Sequence, residues 1–146
     1  MFPEALAFKV PASVKDANQA ARCIAFDLPT AAAFHMHLVL ERAMRAYYDV
    51  VTGNKPRPES RNATAYIDSM KNHQVGDKKI FAALADVVRF HRNPVLHPED
   101  TLDTKEEAIA LLGSIFSVTM QMLKTIPDPV FELVAQDSET KQIAAM

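Results

Sequence analysis

Between the prolines and glycines of this chain, apolar residues recur at three- and four-residue spacing, the period of an α-helix rather than of a strand. The breaks fall at Pro29, from Gly53 to Pro58, at Gly76, from Pro94 to Pro98, and at Pro127 and Pro129. Ser13 followed by Asp16 reads as a capping pair that opens a first helix running to about Asp27. Thr30, just after Pro29, is expected to cap a second helix that ends before Gly53. On that helix Val39, Ala43, Tyr47 and Val50 form the expected core face, while Phe34, Leu38, Glu41 and Arg45 lie on another. Tyr47 is assigned to the core and Tyr48 to the rim. Glu41 and Arg45 are spaced for an i,i+4 pair.

Glu59 or Ser60 opens a short helix with Tyr66, Ile67 and Met70 on one side. Asp77 starts another, with Ile80, Leu84, Val87 and Val88 at helical spacing. Thr104 and Glu107 match a capping box. The long helix behind them carries a broad stripe through Ala108, Leu111, Ile115, Thr119, Met122 and Ile126, and Pro127 stops it. Gly113 lowers its helix propensity and suggests a close helix contact. Val130 to Val134 reads either as one more short helix or as a docking tail. The pattern predicts an all-α, up-and-down bundle of four to five helices. It forms a single domain over residues 1–135, with 136–146 as a frayed C-terminal tail.

Composition narrows the function classes. The chain has 146 residues, 49% hydrophobic and 23% charged, which is one globular domain's worth. One cysteine, Cys23, leaves no intramolecular disulfide and no cysteine-based zinc cluster. Its apolar-periodic surroundings mark it as a buried core thiol in a reducing, cytoplasmic setting. The N-terminus lacks the basic-then-apolar pattern of a signal peptide. The most apolar stretch, Ala31 to Leu40, carries His35 and His37 and is too short to span a bilayer, so no membrane association is expected. His35 and His37 point to opposite sides of one helix and cannot share a metal; at least one is expected to be a satisfied core or interface histidine. A net charge of −2 means that any nucleic-acid contact must come from a local patch.

The chemically informative segment is Arg92-Asn93-Pro94-Val95-Leu96-His97. Pro94 biases Asn93 away from helical geometry, so the preceding helix must end close to Arg92. A guanidinium, an amide and an imidazole then sit together at a helix mouth. These groups suit metal-free phosphodiester cleavage. Histidine takes a proton from a ribose 2′-hydroxyl near neutral pH, and arginine forks onto the phosphorane oxygens. No carboxylate cluster is spaced for a two-metal site, and no cofactor is called for. Upstream, Lys78, Lys79 and Arg89 belong to a modest basic surface able to guide a phosphate chain. His91, beside the motif, is a second candidate proton carrier, and Glu41 is a weaker candidate for reaching the motif across the bundle. Downstream, Glu99, Asp100, Asp103, Glu106 and Glu107 are opposed only by Lys105; part of this acidity serves the N-terminus of the last helix, and the run either weakens RNA binding or engages a basic partner.

Arg92-Asn93-x-x-x-His97, ending one helix before a long capped helix, resembles the R-N-x-x-x-H signature of the HEPN superfamily. The stretches Leu28 to His35 and Leu40 to Tyr48 look like the second helix of bacterial HEPN-like domains, and Asn93 to Glu99 with Glu106-Glu107-Ala108 extends the likeness. It covers roughly residues 12 to 126. One departure is Leu38, where the related helix carries arginine. The resemblance implies a homodimer whose two motifs face each other and which acts as a metal-independent endoribonuclease in toxin–antitoxin, phage-defence or RNA-processing systems. Its partners would be RNA and an antitoxin or accessory protein. Arg92 would then stabilise the transition state, His97 serve as acid/base, and Asn93 position both. Other members keep the fold as non-catalytic dimerisation modules or as protein- or nucleotide-binding modules, and that second expectation stands beside the first.

Overall fold

The computed structural model describes residues 4–90 and 104–127, and every regular element among them is helical. In chain order these are α1 (Glu4–Lys9), a 3-10 turn (Pro11–Ser13), α2 (Val14–Ala25), α3 (Pro29–Thr52), α4 (Ala63–Asn72), α5 (Lys78–Phe90) and α6 (Lys105–Leu123). The expected helices are all present. α1 is an addition that the apolar pattern did not announce: six residues with one buried side chain, Leu6, are too few to display a period. It is held by packing and by Lys9, whose Nζ donates to the Leu123 carbonyl at 2.6 Å and so caps the far end of α6.

α3 is the axis of the bundle. It packs on α2 and α6 most extensively and on α4 as well, while α5 leans on α6 and α4. Because α3 is covered on several sides, its buried set is wider than one stripe: Ala32, Ala33, Met36, Val39, Leu40, Ala43, Met44, Tyr47 and Tyr48. Tyr48 is therefore not a rim residue. It is fully buried, its ring meets Tyr66 edge-on at 5.2 Å, and its hydroxyl bonds to the Pro56 carbonyl at 3.0 Å and Ser69 Oγ at 2.9 Å. Val50, placed in the core by spacing, is 38% exposed near the helix end. Cys23 is half-buried and packs against the edge of the core rather than inside it.

Helix ends follow local chemistry, with corrections. Thr104 accepts from the Glu107 N–H at 3.2 Å, as the capping box requires. Thr30 is not a cap; Leu28 holds that position and Pro29 supplies the preorganised first turn. Ser13 stands at the start of α2, but its hydroxyl turns back to the Val10 carbonyl at 2.6 Å. The short helix opens at Asn62, whose side chain accepts from Ala65 N–H at 2.8 Å, rather than at Glu59 or Ser60. α3 stops at Gly53, left-handed at φ 65°, a conformation costly for any residue with a Cβ. Gly113 mediates no close approach: a Cβ there would meet nothing within 4 Å.

α6 is, by length and composition, long and apolar enough to cross a membrane. In the fold its Ala108, Leu111, Ile115, Val118 and Met122 are buried, and the helix packs on α3 and α5.

Candidate functional site

His91, Arg92, Asn93 and His97 lie outside the described residues, as do the tail and the Val130 to Val134 run. What the structure builds is the end of the helix that leads into the motif. Val88, on the last turn of α5, closes one wall of a cleft of about 330 Å³. The facing wall is α3, which contributes His37, Leu40, Glu41 and Met44, and the rim is Arg61 and Asn62 at the start of α4. The i,i+4 rhythm of α3 explains the arrangement, because His37, Glu41 and Arg45 fall one turn apart on one side of the helix.

Glu41 pairs with Arg45 as their spacing predicts, each side chain about one-quarter exposed. The pair fixes the Glu41 carboxylate in the cleft wall. Arg45 Nε is buried and lacks a hydrogen-bond partner among the described residues. Asn62 spends its amide locally, accepting from Ala65 and donating to Ser60 Oγ at 2.7 Å, which holds the α4 start rigid at the rim. The cleft therefore brings an imidazole, a paired carboxylate and an exposed guanidinium together with Val88, near the end of α5. Such a mixture can hold a phosphate through Arg61 and order a proton carrier through Glu41.

The other named residues divide. Arg89 is exposed on the last turn of α5, where a cation complements the helix dipole. Lys78 and Lys79 stand at the opposite end of the same helix, roughly 15 Å away at 1.5 Å per residue. They do not line the cleft, and the length of α5 separates them from Arg89. The Asp77 side chain caps the α5 start by accepting from Lys79 N–H at 2.8 Å.

Asp16, which its spacing from Ser13 marks as half of a capping pair, belongs instead to a second polar cluster. Asp16 is nearly buried between α2 and α3, where Oδ1 takes His35 Nδ1 at 2.9 Å and Oδ2 takes Arg42 Nη1 at 2.8 Å. Arg42 also donates to the Ala12 carbonyl. His35 is thus a satisfied interhelical histidine, as expected of at least one of the two. Arg61 and Asn62 were missed because they sit in a polar linker; a cap-type asparagine just before an apolar run was the available signal. Among the described residues no three His, Cys, Asp or Glu side chains gather as metal ligands. Comparison with protein-family models, with curated proteins and with solved structures finds no match to this chain.

Proposed function

We propose that this chain is a HEPN-like, metal-independent endoribonuclease that acts as a homodimer, with Arg92, Asn93 and His97 as its reacting groups. The observation that carries the reading is the cleft at the end of α5: the helix that runs straight into the motif in sequence contributes Val88 to a site that also holds His37, Glu41 and Arg61. In the proposed reaction His97 removes the ribose 2′-proton and the 2′-oxygen attacks phosphorus. Arg92 balances charge on the phosphorane. The P–O5′ bond then breaks and the leaving 5′-oxygen takes the proton now held by the His97 imidazolium, giving a 2′,3′-cyclic phosphate and a 5′-hydroxyl and restoring neutral His97. Arg61 supports binding of the flanking phosphate.

The test is incubation of the purified protein with structured and unstructured RNA in EDTA, beside Arg92→Ala and His97→Ala variants of unchanged circular dichroism. Cleavage by the parent, at least a hundredfold slower in each variant, is expected. Equal cleavage by all three, or none, removes the enzyme reading. One observation favours a second reading, a non-catalytic dimerisation or protein-binding module: Glu99, Asp100, Asp103, Glu106 and Glu107 follow the motif in sequence, a charge that opposes RNA binding. An inactive but stably dimeric protein that captures a basic partner supports that reading.

A further inference from the structure

The start of α5 borders a feature that the ribonuclease reading does not use. A groove of about 680 Å³ runs between α4 and α5. Its floor is Ile67 and Phe81, both buried, with Val75, Ala82 and Ala85 completing an apolar trough. At its rim stand Lys71 and Lys78, and no acidic residue lines it. Neither ammonium has a carboxylate or hydrogen-bond partner among the described residues. The nearby Asp77 carboxylate is committed to the first turn of α5.

The groove is built rather than incidental. Its end wall is the connection from His73 to Asp77, in which Gln74 (φ 57°) and Gly76 (φ 88°) both adopt left-handed backbone. Val75 N–H returns to the Met70 carbonyl at 3.0 Å, and Asp77 N–H donates to the buried Tyr47 hydroxyl at 2.9 Å, tying the loop to α3. At Gly76 the backbone passes so near the Phe81 ring that a Cβ would lie 2.6 Å from Cζ. The missing side chain leaves room for the Phe81 ring in the groove lining. A side chain at Gly76 would force the ring to shift.

We propose that this groove binds a small anionic amphiphile, a ligand with an unbranched apolar body and a carboxylate or phosphate head. The apolar floor takes the body, since burying such surface is favourable in proportion to the area covered. Lys71 and Lys78 take the head, and charge complementarity selects an anion over a neutral or cationic one. The size lies within the range of ordinary small-molecule sites. This site is separate from the α5 end and stands whether or not the chain cleaves RNA.

The test uses the full chain and the sodium salts of octanoate and decanoate, with decyl phosphate, decanol and decyltrimethylammonium as head-group controls. All are titrated below their aggregation concentrations and followed by calorimetry and amide chemical shifts. Saturable binding of decanoate and decyl phosphate is expected, strengthening about fourfold per added methylene, the equivalent of ~0.8 kcal/mol. The cation should not bind, and decanol should bind at least tenfold more weakly. Shifts should centre on Gly76 and Ala82. Two variants at exposed positions leave the core intact: Lys71→Glu/Lys78→Glu should weaken the anions at least tenfold, and Ala82→Trp should fill the trough and abolish binding. No saturable binding of decanoate, equal binding of the cationic amphiphile, shifts confined to another face, or variants that bind like the parent would each overturn the proposal.

Discussion

Replacing Asp16 with alanine should loosen the contact between α2 and α3 more than any other single polar change among the described residues. The Asp16 side chain is 10% exposed; it is hydrogen-bonded to His35, at 25% exposure, and ion-paired with Arg42, at 39% exposure. Removing one partner of a fully buried pair costs about 3–5 kcal/mol, because the charge left behind is uncompensated. Here water reaches Arg42 and His35 once Asp16 is gone, and Arg42 keeps the Ala12 carbonyl. The loss is therefore nearer that of a charged hydrogen bond or two, about 2 kcal/mol. For a domain of this length that lowers Tm by roughly 6 °C, at about 3 °C per kcal/mol. The assay is urea and thermal unfolding by circular dichroism, run as double-mutant cycles of Asp16→Ala with Arg42→Ala and with His35→Ala. Coupling of at least ~0.5 kcal/mol in each cycle is expected. A loss under ~0.5 kcal/mol, or additive cycles, would refute the reading of Asp16 as an interhelical clamp.

Tyr48→Phe should cost about 1–3 kcal/mol in denaturant unfolding, because it strands the Pro56 carbonyl and Ser69 Oγ beneath a ring that stays in place. Tyr47 makes stability fall in alkali: burial, the largest effect, and the Asp77 charge hold its pKa above 10.0 against the opposing Asp77 N–H bond. Its contribution is complete below the unfolded value and is lost as pH rises through the folded one, so Tyr47→Phe should flatten the decline in stability above about pH 10. Gly76→Ala should destabilise the loop by about 1–3 kcal/mol and alter the near-ultraviolet signal, since the added Cβ meets both the Phe81 ring and an unfavourable φ.

Sequence periodicity located α2 to α6 because each has at least two turns with a face repeated at helical spacing, and Thr104 identified its own cap. It failed where a residue's role depends on something far along the chain. Asp16 looks like a capping residue until His35, nineteen positions away, comes alongside it. Tyr48 looks like a rim residue until α4 covers the second side of α3 and supplies Ser69 and Tyr66. Lys78 and Lys79 group with Arg89 in sequence, yet a helix of thirteen residues holds them at its other end. Of the candidate site, the Glu41–Arg45 pair was legible from its spacing alone. The contribution of Arg61 and Asn62 was not, because a linker's position across a cleft has no periodic signature.

The most direct test of the ribonuclease proposal is the chemistry of the ends it would leave. An RNA cut by the purified protein in EDTA should carry a 2′,3′-cyclic phosphate on one fragment and a 5′-hydroxyl on the other. A single 2′-deoxy substitution at the cut position should stop the reaction, as should His97→Ala. Fragments ending in 5′-phosphate, cleavage that survives the deoxy substitution, or the absence of any cut would contradict the account.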